Sequence, residues 1–463
     1  MQFLCIKDKN LISFCSKLFH YSIEYFSMKN SFLNRKEKKE TSKAQIFYIL
    51  VSIFDGMVLS FITIFLNQCA VDLGWSNIMS SISLFLPPFI AAFSLIICSN
   101  VIAEQKKNLK IMRILLIISF ISIILFSTLG LVLKNNSKSL LYVIFLIFTS
   151  IITGIHRSFS SFHTSCIADI NYVEKTKYGH VCIFGPLATA IITPFAGFIA
   201  ELFSLTYTGY LYLFLFSLPL LIIIFIYTFL FNPFPSNLIH DEDHEKVSNR
   251  DLFKNKNYVL YLVGASLWIP LLWVNTSLTS DLWTSYEGQS QINSFNPLSF
   301  GFYLSVSSFI EFIIIYINTY FKIGKKVSSS MNIALIMILI ETLSLGLLSY
   351  FFRGESDATL LLAIGIIFLH SFKGMANGLY LTSNVTMLNF ILGPKKRRKA
   401  VFFAPIVYQF INSILQLCYP YFNSKLFIVF FSLSIFALIG LSISFILGYK
   451  LQKKESNLIN KDS

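Results

Sequence analysis

The stretch LFIVFFSLSIFALIGLSISFIL, residues 426–447, runs for 22 residues without a charge or a proline. As a helix rising 1.5 Å per residue it reaches about 33 Å, enough to cross the ~30 Å hydrocarbon core of a bilayer. LIMILIETLSLGLLSYFF, residues 335–352, repeats the pattern with a single glutamate. Composition carries the reading to the whole chain: 463 residues, 55% hydrophobic, 13% charged, 49 phenylalanines and a mean hydropathy of +0.67. Soluble domains average roughly 45–50% apolar and 25% charged residues. Barrel strands would show short alternating segments, so the expected class is an all-α integral membrane protein.

Working outward from that stretch, twelve spans are expected, at 44–66, 78–102, 111–133, 140–167, 181–203, 208–231, 258–281, 299–321, 331–352, 358–388, 401–421 and 426–449. Basic residues concentrate in alternate gaps: the leader, QKKNLK at 105–110, EKTK at 174–177, KNKN at 254–257, KIGKK at 322–326, GPKKRRK at 393–399 and the tail. In the other gaps only Lys134, Lys138, Arg353 and Lys425 appear. The positive-inside rule then places both termini in the cytoplasm. It also accounts for the net charge of +14 without a nucleic-acid partner. Trp75 and Trp283 fall where the outer interface is expected. The seven cysteines contain no CxxC pair, so neither a disulfide framework nor a zinc site is indicated, and no cofactor or metal is expected. The first residues lack a compact apolar core ending in a cleavage site, and Met28 is a second candidate start.

The longest polar interval inside the membrane portion is NPFPSNLIHDEDHEKVSNRDLFKNKN, residues 232–257. It divides the chain into a cytoplasmic leader (1–43), a first six-helix bundle (44–231), a cytoplasmic linker (232–257), a second six-helix bundle (258–449) and a cytoplasmic tail (450–463). Basic turns recur at matching places in the two bundles, 105–110 against 322–326 and 172–180 against 393–400. Two parallel halves of this kind characterise one transporter architecture.

On these features the sequence resembles the major facilitator superfamily (MFS), whose members carry a G-x-x-x-D-R-x-G-R-R loop between spans two and three and a weaker copy between spans eight and nine. Lys322, Gly324, Lys325 and Lys326 reproduce the basic-x-Gly-basic-basic portion, with Phe321 at the acid's place. The earlier loop keeps the acid as Glu104 and basic Lys106, Lys107 and Lys110, and lacks both glycines. IADINYVEKTKYG, residues 167–179, is similar to the family's acidic exit from span four, and Gly185–Pro186 to part of an antiporter motif whose paired glycines are missing. The resemblance covers residues 44–449. It implies two pseudo-symmetric bundles around a central cavity lined by spans one, four, seven and ten, with gating at the Glu104, Lys106, Lys107, Lys322, Gly324, Lys325 and Lys326 loops.

Within that frame GIHRSFSSFHTSC, residues 154–166, places Arg157 about ten residues, roughly 15 Å, inside span four. A mid-bilayer arginine facing lipid costs about 2.5–3.5 kcal/mol even on the lenient insertion scale, so water or an acid must receive it. Asp55 on span one, Asn275 and Trp273 on span seven, and His370 and Lys373 on span ten lie on the other helices the resemblance assigns to the cavity. Histidine as a residue type titrates near neutrality, which makes His156, His163 and His370 candidate proton carriers, each with a plainer reading as a hydrogen bonder between helices. Glu311 on span eight is a further candidate, and Glu341 sits on a span that the resemblance puts at the periphery. Asp55 with Arg157, and Glu311 with Lys373, are the expected pairs, and each has a purely structural reading as a neutralising contact. Arg157 and Lys373 on opposed helices suit a small polar, anionic solute, because arginine grips carboxylate or phosphate in a fork and lysine adds a point charge. The expectation is a monomeric, proton-coupled transporter of the cell membrane whose partners are that solute, protons and the lipid bilayer. Efflux of amphiphiles is the alternative within transport. A polytopic membrane enzyme or a non-transporting sensor is the alternative outside it, but the chain has no P-loop, HExxH or GxSxG and no large catalytic loop.

Overall fold

The computed structural model describes residues 35–101, 108–133, 139–174, 178–233, 249–285, 297–321, 327–351, 359–418 and 425–462. Among these no strand occurs. Span one is Arg35–Met57 and Leu59–Asp72, span two Asn77–Val101, span three Asn108–Leu133 and span four Ser139–Glu174. A short helix, Tyr178–Cys182, leads into span five, Phe184–Phe203. Span six is Tyr207–Phe216 and Leu218–Leu230. After the short helix Asn249–Phe253 comes span seven, Lys256–Trp268 and Leu271–Ser285, followed by span eight, Pro297–Phe321, and span nine, Val327–Phe351. Spans ten and eleven are drawn from one helical run, Thr359–Cys418, which turns at Gly393 (φ 75°, ψ 169°), a left-handed conformation open to glycine. Span twelve is Leu426–Asp462.

Eleven segments among the described residues are long and apolar enough to cross a membrane. Span ten is not among them, and it is the helix that carries His370, Lys373, Asn377 and Asn384. The chain is a multi-pass membrane protein.

The first span of each half is interrupted midway. In span seven Pro270 has no N–H to give the preceding turn, so the helix stops at Trp268 and restarts at Leu271. In span one the break at Val58 is a tightened turn: Val58 N–H bonds Phe54 O at 2.9 Å, and Phe61 N–H reaches back only three residues, to Val58 O at 3.2 Å. Span seven begins cleanly because the Asn255 side chain accepts from the N–H groups of Asn257 and Tyr258.

Packing uses the phenylalanines. Phe65, Phe126, Phe145 and Phe214, from spans one, three, four and six, meet largely edge to face at centroid distances of 5.2–6.3 Å. Two seams join the halves. Along spans five and eight, Ser305 Oγ donates to Ala190 O at 2.6 Å, and Gly301 lies directly on the Thr193–Pro194 backbone. Along spans two and eleven, Phe89 and Phe93 flank Phe410 at 5.9 and 6.1 Å.

Inside the second half, Gly374 lets span ten lie against span eight: a Cβ there would stand 2.2 Å from Ser307 O and 3.2 Å from Glu311 N, both backbone atoms. Gly374→Ala is therefore expected to lower the thermal stability of the purified protein, at a cost of about 1–3 kcal/mol. An unchanged melting temperature would contradict this packing.

Candidate functional site

His156 and Arg157 are consecutive, so their side chains leave span four ~100° apart. His156 turns into its own half, where it is 1% exposed. Its Nδ1 lies 2.8 Å from Asp55 Oδ1 and its Nε2 3.3 Å from Ser119 Oγ. The ring stacks on Phe54 at 4.5 Å and meets Phe159 edge-on at 5.0 Å. Arg157 turns outward, with its guanidinium carbon 4.6 Å from the ring centroid of Trp273 on span seven, in the other half. The arginine thus lies between the halves. A cation over an indole face gains ~0.5–1 kcal/mol, more when desolvated.

Across from it, Lys373 Nζ donates to Thr276 Oγ1 on span seven. The lysine is within electrostatic reach of Glu311, Glu341 and Arg157. The expected ion pairs are not direct: Asp55 is hydrogen-bonded to His156, and Glu311 Oε2 accepts from Asn377 Nδ2 at 2.8 Å. Asp55 acts on Arg157 through its field. Two cations from opposite halves therefore meet span seven one turn apart, at Trp273 and Thr276, each held by an uncharged neighbour and within electrostatic reach of the other.

Asn275 and His370 turn away from this pair into the interior of the second half. Asn275 Nδ2 donates to Glu341 Oε2 at 3.3 Å and to Thr342 Oγ1 at 2.9 Å. His370 Nδ1 lies 3.2 Å from Glu341 Oε1 and 2.9 Å from the Tyr303 hydroxyl, with the tyrosine ring stacked on the imidazole at 4.0 Å. Glu341, on a span expected at the periphery, is 0% exposed and points inward.

The two clusters occupy matching helices. Asp55, Ser119 and His156 sit on the first, third and fourth spans of the first half, and Asn275, Glu341 and His370 on the corresponding spans of the second, at separations of 220, 222 and 214 residues. Each histidine aims Nδ1 at a carboxylate and stacks flat on an aromatic ring. The acid has changed helix between the halves: it is on the first span in one and on the third in the other. Sequence reading missed Ser119 and Tyr303, which are ordinary residues in an apolar helix, and no spacing signals them.

On the side of the basic loops, Val181, Cys182 and Val385 form a small buried cluster closed by Tyr48 and Leu381. It joins span one, the short helix ahead of span five and span ten, hence both halves, and Tyr48 rests on Gly185 of span five, where a Cβ would meet its ring. His163 lies on span four, with its side chain outside the described residues. Glu104, Lys106, Lys107, Lys322, Gly324, Lys325 and Lys326 also lie outside them.

Six-helix halves meeting along two seams, with their first spans broken and ionic side chains at the interface, define the architecture of a known class of membrane protein. The proton:xylose symporter XylE of the MFS, bound to 6-bromo-6-deoxy-D-glucose, aligns with a TM-score of 0.66 at 12% identity, covering 89% of this chain and 96% of XylE. A point mutant of the nucleoside transporter NupG gives 0.63 at 12% identity over 88% and 99% of the two chains. The human organic anion transporter MFSD10 gives 0.55 at 11% over 89% and 100%. The chain therefore has the MFS fold. No protein-family model and no curated protein matches the sequence.

Proposed function

We propose that the protein is a secondary transporter that moves a small polar, anionic metabolite across the cell membrane by alternating access, with Arg157 and Lys373 clamping the solute between the halves. The observation that carries this reading is the pairing of two cations across the interface, each without a direct ion-pair partner among the described residues, in a region where like charges repel strongly unless an anion lies between them. Arginine supplies the bidentate fork and lysine the point charge. The Trp273 ring supports the guanidinium on one face. The first span of each half is interrupted, at Val58 and at Ile269–Pro270, within two turns of Asp55, Trp273 and Asn275, and broken spans of this kind mark midplane binding sites. Proton coupling belongs to the same reading: Asp55 acts on Arg157, and Glu341 and Glu311 act on Lys373. The Glu104–Lys107 and Lys322–Lys326 loops serve as gating elements. Efflux of amphiphiles would call for an arginine turned away from the interface; Arg157 faces across it.

Purified protein is expected to melt at higher temperature with one class of anion among carboxylates, sugar phosphates and inorganic phosphate, and not with neutral sugars or nucleosides. A ligand at 100 times its dissociation constant stabilises by about 2.7 kcal/mol. Stabilisation by neutral sugars alone would remove the clamp. Uptake of the selected anion into proteoliposomes is expected to collapse with the proton gradient, and uptake indifferent to that gradient would leave facilitated diffusion.

The Tyr48–Cys182–Val385 cluster acts as the inner gate in this reading. With Cys5, Cys15, Cys69, Cys98, Cys166 and Cys418 replaced by serine, Cys182 is expected to react slowly with a maleimide and faster in the Tyr48→Ala variant, because removing the ring uncovers a thiol that is 1% exposed. Equal rates would place the gate elsewhere.

A further inference from the structure

The clamp leaves the second histidine cluster unused. Its chemistry is constrained by hydrogen-bond bookkeeping. One imidazole nitrogen presents either a proton or a lone pair, never both. With a proton on Nδ1, His370 donates to ionised Glu341. With a lone pair there the ring's proton is on Nε2, and Nδ1 accepts from either the Tyr303 hydroxyl or a protonated Glu341. The same heavy atoms thus hold two proton arrangements. His370 Nε2 has no hydrogen-bond partner among the described residues. A lone pair on Nδ1 and a doubly protonated ring both put an N–H on Nε2, where nothing among the described residues accepts it, at a cost of about 1–3 kcal/mol; His370 therefore keeps its one proton on Nδ1, and the variable proton goes to Glu341 Oε2, beside an Asn275 amide that can turn its unpartnered Oδ1 to accept it.

Charge points the same way. Glu341 is faced by His370 and Lys373 from span ten, by Tyr303 from span eight and by the Asn275 amide from span seven. Lys373 in turn is acted on by Glu311 from span eight and by Arg157 across the interface. Two carboxylates share one lysine, so with both ionised this group is net negative and holds the lysine to itself. A proton on Glu341 leaves Glu311 as the one acid acting on Lys373, so the lysine is held less firmly and an incoming anion can compete for it.

We propose that Glu341, held by His370, Tyr303 and Asn275, is a proton-binding site separate from the anion clamp, and that its occupancy decides whether Lys373 serves the carboxylates or the solute. The acid that holds the coupled proton is then neither Asp55 nor Glu311. The charge balances as one proton taken up for each negative charge clamped. Asp55, whose side chain is 28% exposed, meets surroundings unlike those of fully buried Glu341. The link to transport rests on the clamp reading above; the proton site itself does not.

Infrared difference spectra between acid and alkaline buffer, recorded on lipid-reconstituted protein without ligand, test the site directly. The C=O stretching band of a buried, protonated carboxyl is expected in wild type, Asp55→Asn and Glu311→Gln, and is expected to vanish in Glu341→Gln. His370→Gln is expected to shift that band, which reads the site even where Glu341→Gln fails to fold. A band that survives in Glu341→Gln, that is lost in Glu311→Gln instead, or that is unmoved in His370→Gln overturns the assignment. In proteoliposomes, with the anion that stabilises wild type most as probe, Glu341→Gln is expected to keep downhill exchange and to lose accumulation driven by a proton gradient. Accumulation equal to wild type overturns the coupling role. Wild type that moves no anion overturns the clamp and leaves the infrared result to decide the proton site.

Discussion

Arg157→Ala is expected to abolish anion-induced stabilisation and uptake while leaving the protein folded. Hydrogen bonds to a charged group contribute about 1.5–3 kcal/mol, so losing the fork weakens binding roughly ten- to 150-fold. Folding should not suffer, because among the described residues the guanidinium has no direct ion pair to break and rests on Trp273. Arg157→Lys keeps the charge and loses both the fork and the flat stack, and should fall between wild type and alanine. Melting temperature and ligand shift measured on one preparation separate the two effects. A variant that melts as wild type and binds as wild type would mean that the guanidinium touches no solute.

Gly301→Ala is expected to alter the balance between inward- and outward-open states more than any change to a side chain in the clamp. A methyl there would stand 2.4 Å from Thr193 O and 3.0 Å from Pro194 Cα, and backbone atoms in two packed helices cannot move aside as a side-chain tip can. Overpacking of this kind costs about 1–3 kcal/mol. The cost falls on the state in which the fifth and eighth spans close most tightly at that end, so populations shift by a factor of about 5–150. Gly301 stands near the end of span eight remote from the basic loops, so the wedge should favour opening on that side. Cys182 at the opposite side should then react with maleimide more slowly than in wild type. Faster labelling would reverse the assignment of the seam's two ends. Gly374→Ala, whose contacts stay within one half, should change stability without that change in labelling.

Much of the architecture was legible in the sequence because bilayer thickness imposes a length and lipid excludes charge. The runs at 335–352 and 426–447 could be little else than spans. Arg157 and Lys373 were legible for the same reason, since a charge in an apolar run needs a polar surrounding. Direction was not legible. Asn275, His370 and Glu341 lie on three helices whose inward faces are fixed by how those helices rotate against one another, so the sequence offered Asn275 and His370 to the interface and Glu341 to the rim, and packing gathered all three into one interior cluster. The break at Pro270 was written in the chain; the break at Val58 arises in packing and has no residue that announces it.

The relocation of the acid from the first span of one half to the third span of the other has a consequence for how the two lobes divide labour. A dimer of two identical lobes of the first kind would offer two partly exposed carboxylates, and one of the second kind two shut ones, so neither would hold both sorts of acid in one particle. Two unlike lobes in a single polypeptide hold both, with Asp55 partly open and Glu341 shut.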